Sequence, residues 1–432
     1  MVLYRLCRTR PARESACGLF IIIFYAAARI HKAAAEWGIN VKILVTGAEG
    51  FLGKNLISNL KAQYKEEHTI LSYDKSNTLE DLKKYTGECD FVYHFAAVHR
   101  PVEEAQFLEV NYDLFRTMLE FLRESGNKCP ILYTSTVQVT QDSAYARSKR
   151  MAEEALQEHE ERNGSRRIIY RLTNTFGKWA KPYAYSVVAT FCCNISRNRE
   201  IEIHNPGTVM NFYYIDDVID EFLRHLKEEV PPCEDGYYRL KEEYCYQVTL
   251  QELGDMIKGF QKARKELYIP DLRNSFARKL YSTYLSYLPS EELTTPVVSH
   301  RDDRGSFTEV FRTDGLGQFS INVTKPGIKK GEHYHNSKCE RFFVISGKAM
   351  IQLRKIGTNE IMEYLLSSEE PRIIEIPPGY THNLINIGDT DLYTLIWANE
   401  VFDRLHADTY PCSVPLETME EGRNSCLQIK CF

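Results

Sequence analysis

No strong excess of either charge marks this chain of 432 residues: 54 Lys and Arg stand against 59 Asp and Glu, a net charge of −5. Without a basic block, nucleic acid is not an expected partner, and any anion must be held locally. C-x-x-C pairs are also missing. The twelve cysteines include the neighbours Cys192 and Cys193 but no zinc-ribbon or disulfide framework, so they read as reduced thiols of a cytoplasmic protein. No apolar run reaches the roughly 20 residues that a bilayer-spanning helix needs. What is present is a hydrophobic content of 43%, enough over this length for two ordinary cores and hence two domains.

The first region is organised around Gly47, Gly50 and Gly53. A β-branched and aliphatic run, Ile43-Leu44-Val45, leads into them, and residues 54–64 follow with helical spacing. A strand, a glycine turn and a helix let a backbone approach a diphosphate closely, with the positive end of the helix aimed at it. Asp74 and Lys75 follow a second strand at Ile70-Leu71-Ser72-Tyr73. An acidic side chain there accepts from the adenosine ribose of NAD, whereas a basic one pairs with the 2′-phosphate of NADP; both are offered.

Further strands are read at 91–95 and 131–135, and helices at 108–123 and 148–162. Strands alternating with helices predict a parallel, Rossmann-type α/β sheet with chemistry at the carboxyl ends of its strands. Tyr145 and Lys149, four apart, share a helix face. The ammonium can then lower the phenol's pKa towards working pH. Thr134-Ser135-Thr136 precede them at a strand end.

Together these residues resemble the extended short-chain dehydrogenase/reductase family from residue 41 to roughly 280. The three glycines match its G-x-x-G-x-x-G turn, His94-Phe95-Ala96-Ala97 its fourth-strand H-x-A-A element, and Tyr145 and Lys149 its catalytic pair. Arg171 to Gly177 match its R-x-x-N-x-x-G element, and Tyr214-Ile215-Asp216-Asp217-Val218 its Y-x-D-D-V element. The resemblance implies that Thr136 carries the catalytic hydroxyl, with Ser135 as the fallback. It also implies that Gly47, Gly50, Phe51, Leu52, Gly53, Asp74, Lys75, Ala96 and Lys149 contact the cofactor. Helices at 218–226 and 250–263 belong to a half that in this family closes over a nucleotide sugar, with Lys178, Trp179, Lys181 and Arg197 as contacts.

Such domains begin close to their first strand, here Val41. Residues 1–40, where Arg5, Arg8, Arg10 and Arg13 precede an apolar run at 18–28, look like a signal peptide. Export would part a dinucleotide enzyme from its reduced cofactor, so an upstream extension or a mis-assigned start is expected instead.

Residues 280–290 read as an aromatic crossing between domains. Beyond Pro296 short alternating strands at 319–323, 341–345, 349–353, 372–376 and 393–397 predict an all-β sandwich or barrel. His333 and His335, two apart on a strand, point to one side. With Glu340 and His382 they make a good set for a borderline divalent ion.

This second set resembles the cupin family. Gly327 to Gly347 fit its first motif, and Pro377 to Asn386 the core of its second, with Pro371 where a leading glycine is expected. Zinc is the first choice, with iron, manganese and nickel open. Asp302 to Glu309 also resemble the D-x-R-G-x-F-x-E strand of metal-free cupin-type deoxysugar 3,5-epimerases, in which His333 would fall near the base. His333 and Tyr334 are therefore both candidates for a base.

A reductase of nucleotide sugars fused to a metal-type cupin is similar to the bifunctional capsule and O-antigen enzymes that make UDP-N-acetyl-6-deoxy-L-talose on the route to UDP-N-acetyl-L-fucosamine. The expected boundaries are 41–290 for the dehydrogenase domain, 291–412 for the cupin and 413–432 for a disordered tail. The resemblance implies a homodimer and a UDP-2-acetamido-2,6-dideoxy-4-hexulose substrate, inverted at C3 by the cupin and reduced at C4 with NADPH. It thereby favours Lys75 over Asp74, with NADH still open. Two rivals stand beside it: an NAD-retaining 4-epimerase or dehydratase with a non-catalytic cupin, and a binding or regulatory protein.

Overall fold

The structure, a computed structural model, describes residues 40–64 and 68–415. The expected extension lies outside the described residues except for Asn40, as does everything after residue 415. The described chain forms two compact units. The first holds residues up to Asn194 with Asn198–Gly254 and Ser282–Tyr287; the second holds Ile195–Arg197, Asp255–Tyr281 and residues from Leu288 on.

In the first unit the elements run β1 (Val41–Thr46), α1 (Phe51–Tyr64), β2 (His68–Tyr73), α2 (Leu79–Glu88), β3 (Phe91–His94), α3 (Leu114–Glu124), β4 (Ile131–Thr136), α4 (Ala144–Asn163) and β5 (Arg167–Leu172). The sheet order is β2-β1-β3-β4-β5, and every pair is parallel. Both faces are covered, which is why these strands are continuous apolar runs rather than alternating ones. Ile43, Val45 and Leu132 pack towards one helical layer, and Leu44, Val92 and Ile131 towards the other. Each such side chain, fully buried, contributes about 1.5–3 kcal/mol.

Local sequence sets the helix ends. Thr78 and Asp81 form a capping box at α2, while Ser143 caps α4 and Gly164, at φ +74°, ends it. Two expectations shift. The His94 element closes the third strand, not a fourth, because residues 74–90 supply only α2 between β2 and β3. The helix expected at 108–123 is interrupted by a wide π-turn at Glu109–Asp113 before α3.

Because β1 lies between β2 and β3, the strand order reverses beside it, and all five carboxyl ends open on one edge. A smaller sheet of β6 (Asn174–Phe176), β7 (Val209–Tyr214) and β8 (Cys245–Thr249) follows, with α5 (Ile215–Lys227) starting inside the Y-x-D-D-V element. Helix α6 is Leu250–Lys265. Within the expected aromatic crossing, residues 280–285 are the last turns of α7 (Ser275–Leu285). Among the described residues no helix is long and apolar enough to cross a membrane.

The second unit is β-rich. One sheet orders β10 (Ser299–Asp302), β11 (Gly305–Thr313), β12 (Gly317–Thr324), β19 (Leu392–Ala398), β14 (Glu340–Ser346) and β17 (Ile373–Ile376), with β9 (Tyr268–Ile269) added to β11. The other orders β16 (Ile361–Ser367), β15 (Lys348–Lys355), β18 (Tyr380–Asn386), β13 (Lys329–Tyr334) and β20 (Tyr410–Pro411). Phe342, Val344, Ile351, Leu353, Leu384 and Leu392 fill the core between them.

The motif glycines and Asn386 are structural. Gly327, at φ +72°, donates its N–H to the Asn386 carbonyl at 3.0 Å, and the Asn386 amide ties Thr324 to Thr390. Ser413 and Val414, placed by the sequence in a tail, are instead pinned into this unit. The Arg354 guanidinium donates to their carbonyls at 2.7 and 2.6 Å, and the Val414 N–H donates to Glu332 at 2.7 Å.

Candidate active site and metal centre

The glycine turn is built by close backbone contacts. Gly47 sits at φ +68°, and a Cβ there would stand 2.8 Å from the Ala96 nitrogen; a Cβ on Gly53 would stand 2.2 Å from the Gly47 oxygen. The H-x-A-A segment therefore lies directly against the turn. Gly50 is exposed, and Phe51 and Leu52 open α1 with their side chains half-buried on the core. No acidic residue occupies the first turn of this helix. An exposed glycine backbone at the positive end of a 14-residue helix fits a dinucleotide diphosphate.

Asp74 and Lys75 follow β2 at the same edge. The Asp74 carboxylate accepts from the N–H groups of Glu49 at 2.7 Å and Lys75 at 2.8 Å, so it braces the turn, while Lys75 is exposed. Behind them, the Ala96 N–H donates to the Thr46 hydroxyl at 3.3 Å, and that hydroxyl lies 2.9 Å from His94 Nδ1. Burial first and the Lys149 charge second push the His94 pKa down to about 3, which leaves the imidazole neutral.

The expected trio meets at the end of β4. Thr136 ends the strand and accepts from the Gln138 N–H at 3.1 Å; Tyr145 and Lys149 lie on the first turns of α4. Burial pushes the Tyr145 phenol up to about 12, and a hydrogen bond with the Thr136 hydroxyl works against that rise. Lys149 does not lower it as expected. Its Nζ is directed at the Thr134 carbonyl, 3.0 Å away, and burial pushes its own pKa down to about 8, with Glu153 opposing. Ser135, the fallback hydroxyl, is buried with no hydrogen-bond partner.

Several neighbours were not anticipated. The Asn111 amide donates to Ser148 at 3.1 Å and exchanges hydrogen bonds with the Val98 backbone, joining the segment after β3 to α4. It does so from the π-turn, which interrupts the helical spacing read from sequence. The His99 ring stands 5.4 Å from that of Tyr145 and also 5.4 Å from that of Tyr185. Glu153 holds Arg171 by two bonds, at 3.0 and 2.6 Å. Of the expected sugar contacts, Lys178 is paired with Asp216 at 2.6 Å, and Trp179 is half exposed at φ +70°.

In the second unit His333, His335, Glu340 and His382 come together, their ligand atoms all within 4.8 Å of one another. The route differs from simple alternation. β13 carries a bulge between Gly331 and His333 and ends at Tyr334, so His335 lies beyond the strand. Glu332 within the bulge is at φ +64°. The Gly379 N–H, from the second motif, donates to the His335 carbonyl at 2.7 Å.

The donor set suits a cation. His335 Nε2 is buried with no hydrogen-bond partner, and Glu340 Oε2 lies 3.6 Å from it and 3.4 Å from His382 Nε2. Lys338 Nζ is 3.3 Å from the other Glu340 oxygen. Burial pushes the Glu340 carboxyl up, but the two imidazoles and the Lys338 charge outweigh it and leave it well below the usual range. Burial, with His382, pushes His333 down to about 3. Neutral imidazole and ionised carboxylate are the forms that bind metal.

The chain's similarities run along the same lines. Residues 43–234 match the NAD dependent epimerase/dehydratase family, and residues 300–410 match the polysaccharide biosynthesis C-terminal domain. A UDP-2-acetamido-2,6-beta-L-arabino-hexul-4-ose reductase of Pseudomonas aeruginosa is 39% identical over 374 residues, 87% of this chain and 99% of that protein. The crystal structure of the capsular polysaccharide assembling protein CapF from Staphylococcus aureus superposes with a TM-score of 0.80 at 40% identity, covering 86% of this chain and 99% of that one. The spore coat polysaccharide biosynthesis protein SpsL of Bacillus subtilis is 31% identical over 111 residues, 23% of this chain and 73% of its own length.

Proposed function

Because the chain belongs to the capsular-polysaccharide reductase family, in which an epimerase/dehydratase-type domain precedes a polysaccharide biosynthesis C-terminal domain, we propose that it reduces the C4 ketone of a UDP-sugar. The finer reading is a two-step conversion of UDP-2-acetamido-2,6-dideoxy-4-hexulose. The cupin domain inverts C3, and the dehydrogenase domain then reduces C4 to give UDP-N-acetyl-6-deoxy-L-talose, towards UDP-N-acetyl-L-fucosamine. The observation that carries the reading is the meeting of Thr136, Tyr145 and Lys149 at the carboxyl edge of the parallel sheet.

A nicotinamide cofactor, NADPH by preference and NADH as the fallback, supplies the hydride that ends on C4. Gly47, Gly50, Phe51, Leu52, Gly53 and Ala96 form its cradle, with Asp74 and Lys75 at the adenosine end. Tyr145, kept protonated by burial, donates its phenol proton to the C4 oxygen as negative charge develops there. Thr136 donates a hydrogen bond to the same oxygen and orients the phenol. Lys149 holds the ribose beside the nicotinamide and places a positive charge near the oxygen.

His333, His335, Glu340 and His382 would hold a divalent ion, zinc first, which adds positive charge to the cupin site. A proton α to the C4 ketone is acidic enough for a positioned base to remove it, and its return from the other face inverts C3. The base is Tyr334, or His333 in a state in which it does not bind the ion. A cytoplasmic homodimer completes the reading.

The test is incubation with the UDP-4-keto-6-deoxy sugar and NADPH in D₂O, followed by NMR of the product. Deuterium at C3, net oxidation of NADPH and an L-talo product are expected. Turnover without net NADPH oxidation would replace this reading with an NAD-retaining epimerase or dehydratase.

A further inference from the structure

His335 and Glu340 flank a short turn whose shape is set from a segment 70 to 72 residues further along the chain. The Asp408 carboxylate accepts from three consecutive backbone N–H groups, those of Asn336 at 2.9 Å, Ser337 at 2.7 Å and Lys338 at 2.8 Å, and from the Ser337 hydroxyl at 2.9 Å. Its own carbonyl oxygen lies 2.5 Å from His335 Nδ1. A carbonyl can only accept, so Nδ1 carries the proton and Nε2 presents its lone pair inward, where it has no protein partner. By contrast, His382 Nδ1 has only a 3.4 Å contact to the Tyr380 carbonyl.

Both Asp408 oxygens accept from these donors, and the residue is not among the four whose ligand atoms converge. One residue thus fixes the tautomer of one ligand through its backbone and the loop joining that ligand to the next through its side chain. Partners of metal-bound imidazoles act in this way, and losing one typically lowers metal affinity about 10- to 100-fold.

We propose that Asp408 is a positioning residue of the divalent-cation site, holding His335 and the turn to Glu340 in the geometry that retains the ion. The proposal rests on the metal-centre reading given above. Its consequence is kinetic: the ion leaves when the turn opens, and Asp408 keeps it closed.

The test uses the full chain loaded with zinc, as wild type, Asp408→Ala and Asp408→Asn. Zinc content and the rate of release to a chromogenic chelator are followed, with melting of the loaded and zinc-free forms in parallel. Release about ten-fold or more faster from Asp408→Ala is expected. Both variants keep the backbone carbonyl that faces His335 Nδ1 and so test the side chain; Asp408→Asn, which keeps one side-chain acceptor oxygen, should fall between Asp408→Ala and wild type. The gain in melting temperature on loading should shrink in the same order. Release at the wild-type rate from either variant when folded, with loaded and zinc-free forms destabilised equally, overturns the proposal and leaves the metal centre standing. A wild-type protein that holds no zinc, iron, manganese or nickel overturns the metal centre and this proposal together.

Discussion

Lys149 Nζ donates to the Thr134 carbonyl at 3.0 Å, so the ammonium is anchored to the strand that carries Thr136 rather than aimed at the Tyr145 phenol. Burial holds Tyr145 protonated up to about 12 and brings Lys149 down to about 8. The alkaline limb of the reduction therefore belongs to the lysine: kcat/KM should fall above about pH 8, where its charge is lost, while the phenol keeps its proton. For stability the sign is opposite. The unfolded chain binds more protons between about 8 and the ordinary lysine value, so the cost of the buried charge is relieved as pH rises through that window. A pH profile of kcat/KM from about pH 6 to about pH 10 checks this, and a limb first appearing near the upper end would contradict it.

Replacing the phenol isolates the two chemistries. Tyr145→Phe removes the proton donor with little change in shape and is expected to lower NADPH oxidation by about 10²- to 10⁴-fold. The cupin residues are untouched by it. Deuterium entry at C3 from D₂O, followed by NMR, should continue at the wild-type rate, and its loss would argue against separate sites for the two steps.

The glycine turn offers a graded test. A Cβ at Gly53 would meet the Gly47 oxygen at 2.2 Å and the Ala48 backbone at 2.8 Å, whereas one at Gly50 would meet only the Gly47 oxygen, at 3.0 Å. Gly53→Ala must move main chain, at a cost of about 1–3 kcal/mol. Gly50→Ala need shift its neighbour only slightly. Cofactor titration by fluorescence should show the larger loss of affinity for Gly53→Ala, and the reverse order would place the close approach elsewhere.

These contacts also explain what was legible beforehand. The turn and the Tyr145 and Lys149 pair could be read because each is set by spacing along one or two neighbouring elements, and the four ligands because two short motifs carry them at fixed spacings on or just after β13 and on β14 and β18. Asn111 and Asp408 could not. Asn111 points to Ser148 because a π-turn replaces regular helix, and Asp408 reaches a turn about 70 residues back in the chain. The strands of the second unit divide in the same way. β12, β14, β15, β17 and β19 carried readable apolar alternation. β13 did not, because its bulge at Gly331 and His333 breaks the period of two, and β10 is half-exposed or exposed throughout. His335 joined the site although it lies past the strand end, so alternation was a correct guide for an incomplete reason.

Arg354 closes the second unit and gives the last test. The side chain is 4% exposed, yet its guanidinium donates to the carbonyls of Val414, Ser413 and Thr358 at 2.6, 2.7 and 3.1 Å. These bonds tie the segment after β20 to β15, while β20 itself pairs with β13 through Pro411 and Tyr410 opposite His333 and Tyr334. Arg354→Met fills much of the volume but leaves the buried Val414 carbonyl and the half-buried Ser413 carbonyl without this donor, at about 1–3 kcal/mol for a buried one. The change should destabilise the second unit by about 3–5 kcal/mol, read from urea unfolding, and expose the chain around residues 403–415 to proteolysis. Arg354→Lys keeps the charge but not the planar fork and should give an intermediate loss. Because the freed strand borders His333, zinc should also leave Arg354→Met faster than wild type. Unchanged cleavage and unchanged zinc release would mean that β20 is held by its two backbone pairs and by Glu332, whose Oε2 takes the Val414 N–H at 2.7 Å, rather than by the arginine.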